Sequence, residues 1–231
     1  MAERVTLAIR RQPAEGGPAH WDHFELSLEG LATVADALAA INEDPKTRDG
    51  RKVPRVSWDD ACGWPSCGVC TMGIASRARD ACATALREVA VSNKPLVLTP
   101  LRGFRVVRDL VVDRARIADD LRRFEPWGDA KNLAFSACTR CGACIDACPS
   151  TGLGRPYVGA VVVGLSHPAR DASNDATRRE ALVTTGGIAE CGGAEACVEI
   201  CPEGVPLGEA LSVALAEATR HAMRTMFTKK K

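Results

Sequence analysis

The chain has 231 residues, 46% of them apolar, with a formal net charge of +1. It is long enough for one large core or two small ones, and it lacks the charge excess that would draw it to nucleic acid. No run of 18 or more apolar residues occurs, which excludes a membrane-spanning helix, and the opening "MAERVTLAIRRQ" has neither a signal peptide's apolar stretch nor an early twin arginine, so the chain is expected in the cytoplasm or on a membrane's cytoplasmic face.

The first third reads as strands around one helix. "RVTLAIRRQ" alternates, with Val5, Leu7 and Ile9 on one face. "PAEGGPAHWD" is a turn-rich loop, and "HFELSLEG" alternates again with Phe24, Leu26 and Leu28. "TVADALAAINEDP" predicts a helix. Thr33 is its N-cap, Asp36 completes a capping box, and Val34, Leu38 and Ile41 share a face ahead of Pro45. "KPLVLTPL" predicts a further strand. From about residue 105 the pattern turns helical, which divides the chain into domains 1–104 and 105–231. "DRARIADDLRRF" sets Ile117, Leu121 and Phe124 at helical spacing behind Asp113. "PYVGAVVVGL" fits a strand by its β-branched residues and a helix by its position. Pro206 to Phe227 predicts a long helix with Leu207, Leu211 and Leu215 on one side. The closing "KKK" reads as a solvated end.

Eleven cysteines fall in three groups, and none lies outside a group. An odd count in a cytoplasmic chain argues against disulfides, and clustering argues for metal ligation. The first group, Cys62, Cys67, Cys70 and Cys82, has the Cys-x4-Cys-x2-Cys spacing of plant-type [2Fe–2S] loops, with the fourth thiolate arriving from a following strand. Gly63, Gly68 and Gly73 are expected to let this loop turn closely and aim amide N–H groups at the sulfides. Zinc is the alternative, although structural zinc usually joins two separated Cys-x2-Cys knuckles. The strand–helix–strand surroundings suit a β-grasp ferredoxin domain.

The second group, "CTRCGACIDACP" at 138–149, is Cys-x2-Cys-x2-Cys-x3-Cys-Pro, the bacterial cubane motif, in which the fourth cysteine ligates the other cluster. Zinc is again the minor alternative. The third group, "CGGAEACVEICP" at 191–202, repeats this frame with Ala194 where the second has Cys141. The pattern assigns Cys138, Cys141, Cys144 and the remote Cys201 to a [4Fe–4S] cluster. Cys191, Cys197 and the remote Cys148 fall to a partner site. A methyl group cannot bind iron, so that site is expected to hold [3Fe–4S]. A [4Fe–4S] cluster with water as its fourth ligand is the alternative.

Three groups in this order resemble the iron–sulfur subunit of succinate dehydrogenase and fumarate reductase. "FRVVRDLVVD" at 104–113, "EPW" at 125–127 and "CPEGVPL" at 201–207 extend the resemblance over nearly the whole chain. It implies an α+β protein in which a β-grasp [2Fe–2S] domain precedes a helical ferredoxin domain with [4Fe–4S] and [3Fe–4S] clusters. It also implies an FAD-containing flavoprotein partner that oxidises succinate, a membrane anchor, and electron transfer to a quinone. Pro149, Ser150, Leu153 and Gly192 are the expected quinone-proximal positions. Many family members have tryptophan where Leu153 stands and histidine where Gly192 stands. "REALVTTGGIAECG" and "DDACGWPSCGVCTMGI" look more like the menaquinone-linked bacterial branch with a dihaem cytochrome b anchor.

Nothing suggests bond-making chemistry on this chain. His20, His23, His167 and His221 lack Rieske-like Cys-x-His pairing. Trp64, inside the first cysteine loop, is a packing residue or a shield for the cluster. A subunit serving another flavoenzyme, such as a fumarate- or glycolate-type oxidoreductase, is the alternative function. An interaction module without redox work is disfavoured by three electron-carrier spacings on one chain.

Overall fold

A computed structural model of the protein describes residues 3–14, 16–91, 94–123, 135–152, 154–166, 183 and 186–228. Phe124, Leu153, His167, the "EPW" stretch and the closing lysines lie outside these described residues. The chain divides into two compact units, 1–113 and 114–231.

The first unit is a five-stranded mixed sheet with one principal helix. β1 (Arg4–Arg11) pairs antiparallel with β2 (His20–Ser27), from Arg4 opposite Ser27 to Arg11 opposite His20. The alternation expected in both strands is what buries Val5, Leu7, Ile9, Phe24 and Leu28 on one face. α1 (Val34–Glu43) starts at the expected capping box. Thr33 Oγ1 accepts from Asp36 N at 3.2 Å, and Asp36 Oδ2 accepts from Thr33 N at 2.8 Å. The Thr33 amide, foremost, holds the Asp36 carboxyl below its ordinary range. Val34, Ala37, Leu38 and Ile41 form the buried face of α1. Each large side chain there contributes about 1.5–3 kcal/mol through burial.

β3 (Thr71–Ile74) and β4 (Arg77–Asp80) form a hairpin that turns at Ala75 and Ser76, whose φ values are 49° and 68°. After the short helix α2 (Leu86–Val89), β5 (Leu96–Thr99) enters the middle of the sheet, parallel to β1 and antiparallel to β3. The strand order is β2-β1-β5-β3-β4.

The hairpin of β6 (Arg105–Arg108) and β7 (Val111–Asp113) is a correction to the sequence reading, which turned helical at 105. It belongs to the first unit because Asp109, in its turn, is tied there. Asp109 Oδ1 lies 3.0 Å from Arg11 Nε, and its carboxylate accepts from the Gln12 and Ser57 amides at 3.0 and 2.9 Å. Arg11 also pairs with the buried Asp22 at 3.1 Å.

The second unit is helical. α3 (Ala115–Arg123) buries Ile117 and Leu121 as expected. α4 (Ala143–Ala147) and α6 (Ala196–Glu199) are single turns that pack on each other. α5 (Ala160–Ser166), from the ambiguous "PYVGAVVVGL", is a helix. It packs against α3, α4 and the long α7 (Leu207–Thr228), so its β-branched residues are buried on several sides. The expected leucine face of α7 is only partly core. Leu207 is buried, Leu215 is 52% exposed, and Ala214 and Ala218 are buried instead.

Candidate metal centres

The first group occupies the loop before β3 and the turn after β4. Gly63 and Gly68 take φ values of 62° and 66°, as the tight loop requires. The four sulfurs fall into two pairs. Cys62 Sγ lies 2.9 Å from Cys67 Sγ, and Cys70 Sγ lies 3.4 Å from Cys82 Sγ. Cys82 is placed by the end of β4, where Ala81 N donates to Cys70 O at 3.3 Å and Thr84 Oγ1 donates to Asp80 O at 2.8 Å. Thr71 Oγ1 ties the loop to the strand, lying 2.7 Å from Gly68 O and within hydrogen-bonding reach of the Asp80 carboxylate.

Two expectations for this loop are corrected. Gly73 does not turn the loop. It sits in β3 opposite Ala78 and Thr99, and a Cβ there would lie 2.2 Å from Thr99 Oγ1. Close strand packing explains this glycine. Trp64 is 74% exposed, so it is not a packing residue within the chain. Its carbonyl is the useful part, accepting from Ser66 N and Cys62 Sγ, each at 2.7 Å.

The second and third groups share one backbone frame. Arg140 and Gly142 have φ values of 58° and 91° and flank Cys141. Gly193 and Glu195 have φ values of 69° and 54° and flank Ala194. In both motifs the second left-handed residue caps the following turn of helix, Gly142 for α4 and Glu195 for α6. The left-handed residues on either side put the middle residue of each motif on a tight turn.

Their sulfurs cross over between the motifs. Cys138 and Cys201 lie close enough for the charge on one to act on the other. Cys144 lies near Cys141 and Cys138, and Cys197 lies near Cys148 and Cys191. Cys148, Cys191, Cys197 and Ala194 line one cavity of about 140 Å³. Pro149, Ser150 and Gly192 line it too, while Leu153 falls outside the described residues. Sequence reasoning missed Tyr157, Ile188 and Leu211 on the cavity wall. Tyr157 is the chain's only tyrosine, which was the one available signal.

As free thiols these groups resist joint ionisation. Burial, then the Cys70 thiol, pushes Cys82 up to about 12. Burial, then Cys148 and Cys191, pushes Cys197 up to about 11. Burial likewise raises Cys144 and Cys138. Cys62 is the exception, held down to about 7 chiefly by the adjacent Cys67 thiol. Clustered cationic iron removes this conflict, because a coordinating thiol is deprotonated outright. Among the described residues no three Cys, His, Asp or Glu side chains are arranged around a single metal ion. The first group's sulfurs meet in two pairs, and Cys148, Cys191 and Cys197 line one cavity; these donor sets fit multi-iron clusters. The Tyr157 phenol is also shifted upward, by burial first and then by Cys191.

Comparison with known proteins agrees with this chemistry. A family model described as a 2Fe-2S iron-sulfur cluster binding domain matches residues 6–119, and one described as a 4Fe-4S dicluster domain matches residues 131–202. The succinate dehydrogenase iron–sulfur subunit of Bacillus subtilis is 30% identical, with 98% of each chain covered. A fumarate reductase iron–sulfur subunit of Escherichia coli is 27% identical over 88% of this chain and 89% of the relative. In fold, the chain is similar to one in the Mycobacterium smegmatis Sdh1 complex in the apo form, with a TM-score of 0.74 and 21% identity over 96% and 98% of the two chains. With its paired cubane motifs and its separate two-iron loop, the chain belongs to the iron–sulfur subunits of succinate dehydrogenase and fumarate reductase, electron-transfer proteins carrying [2Fe–2S], [4Fe–4S] and [3Fe–4S] clusters.

Proposed function

We propose that this chain is the electron relay of a succinate:quinone oxidoreductase, working between an FAD-bearing flavoprotein and a haem-carrying cytochrome b anchor on the cytoplasmic face of the plasma membrane. Cys62 and Cys67 hold one iron of [2Fe–2S], and Cys70 and Cys82 the other. Cys138, Cys141, Cys144 and Cys201 hold [4Fe–4S], and Cys148, Cys191 and Cys197 hold [3Fe–4S]. The observation that carries this reading is the single cavity lined by those last three cysteines and Ala194. Three sulfurs and one methyl suit a cubane lacking a corner iron.

Bound clusters pass single electrons, which lets a two-electron flavin serve a two-electron quinone. The chain's own residues supply the thiolates and restrict water. Ile188 and Leu211 make the third cavity's wall apolar, and Cys141, Cys144 and Cys197 are themselves buried. Pro149, Ser150 and Gly192 are the quinone-proximal residues, together with Leu153. The quinone is menaquinone. In support, a Cβ at Gly192 would lie 3.1 Å from Ser150 Oγ, leaving little room for a larger side chain, and among the described residues the cavity lining includes no histidine.

The test is co-expression with the flavoprotein and the anchor. The chain with its flavoprotein should reduce dye with succinate, and menaquinone-analogue reduction should require the anchor. Electron paramagnetic resonance of the complex with and without succinate should resolve three centres. Succinate oxidation by the chain alone, or a complex that prefers ubiquinone analogues, contradicts the reading.

A further inference from the structure

The wall of the third centre's cavity carries a buried phenol that ligation does not explain. Tyr157 is 1% exposed, and its hydroxyl is buried without a satisfied hydrogen bond. Tyr157 lines the same cavity as Cys148, Cys191 and Cys197. A buried hydroxyl without a partner costs free energy, so such an atom points to an acceptor that completes it. Its backbone is anchored on two sides. Arg116 Nη2 donates to Tyr157 O at 3.1 Å, and Val158 N donates to Gly186 O at 3.0 Å. The phenol O–H is thus a hydrogen-bond donor on an anchored stretch of backbone.

We propose that the Tyr157 hydroxyl donates a hydrogen bond to the sulfur of Cys191 and thereby raises the reduction potential of the third centre. This rests on the assignment of Cys148, Cys191 and Cys197 to the [3Fe–4S] cluster. A donor at a ligating sulfur stabilises the reduced form, which is one electron more negative, and hydrogen bonds to sulfur are among the levers that set cluster potential. The arrangement also explains selectivity. Tyr157 shares its cavity with Cys148, Cys191 and Cys197, and the chain has no other tyrosine to replace it. Tyr157 is a positioning and tuning residue, one that makes the last carrier a better acceptor for electrons arriving from within the chain.

The experiment is a redox titration of the complete membrane complex, followed by electron paramagnetic resonance. The wild type must show an oxidised [3Fe–4S] signal, and its absence overturns the ligand assignment together with this proposal. Given that signal, Tyr157→Phe should weaken reduction of the third centre about threefold to tenfold in equilibrium constant, where tenfold equals 59 mV for one electron. The other two centres should keep their midpoints. An unmoved third midpoint overturns the role of Tyr157 and leaves the ligand assignment standing. Where the Phe variant loses the third cluster, 3-fluorotyrosine introduced at position 157 decides. It keeps the hydroxyl and makes it a stronger donor, so the third midpoint should rise, and an unchanged midpoint overturns the proposal.

Discussion

Ala194 occupies the backbone position of Cys141. Each sits between two left-handed residues, and each is followed by a single turn of helix that supplies the next cysteine of its motif. The two motifs therefore differ at this position by one sulfur on a common frame.

From this, Ala194→Cys should supply the missing thiolate and convert the third centre from [3Fe–4S] to [4Fe–4S]. The oxidised [3Fe–4S] resonance should shrink and the potential should fall, because a negative ligand and an iron are added together. Succinate-dependent dye reduction should persist while quinone reduction slows. An undiminished [3Fe–4S] resonance in the folded variant would show that Ala194 does not face the vacant corner.

Metal and sulfide analysis of the anaerobically purified complex should assign about nine irons to this chain once haem and other partner iron are subtracted. Acid-labile sulfide should accompany them. Stoichiometric zinc with little sulfide would contradict all three cluster assignments.

Gly73→Ala should destabilise the first unit by about 1–3 kcal/mol, the usual effect of overpacking. The added methyl meets Thr99 Oγ1 at 2.2 Å and the Thr99 carbonyl oxygen at 3.3 Å. Thermal bleaching of the [2Fe–2S] absorbance should shift downward. Combining the change with Thr99→Ala should recover part of the loss, and full additivity of the two changes would argue against the clash.

Asp109→Ala should be costlier. It leaves the buried Arg11 with one carboxylate fewer and deprives the Gln12 and Ser57 amides of their acceptor. The expected loss lies near the low end of about 3–5 kcal/mol, because Asp22 remains beside Arg11. Denaturant unfolding of the variant complex, monitored at the [2Fe–2S] centre, measures it. A loss under about 1 kcal/mol would mean that the hairpin is held by other contacts.

Local signals in the chain were read well where the physics is local. The capping box at Thr33 and Asp36 involves residues three apart, and the alternation in β1 and β2 needs only one buried face. Position 105 misled because β6 and β7 are short, and what keeps them with the first unit is an ion pair between Arg11 and Asp109, far apart in sequence. Gly73 misled because its reason lies across the sheet, on Thr99.

The cysteine spacing by itself pointed to the cluster chemistry and to Ala194 as the proposed position without a ligand, because a thiolate's reach is set by the few bonds between neighbouring motif residues. Tertiary structure alone decided that Cys148, Cys191, Cys197 and Ala194 line one cavity, that Leu215 stands exposed, and that Tyr157 lines that same cavity. These are meetings between segments tens of residues apart. Packing of α4, α5, α6 and α7 creates them, and no periodicity within any one segment encodes which atoms will face each other across a cavity.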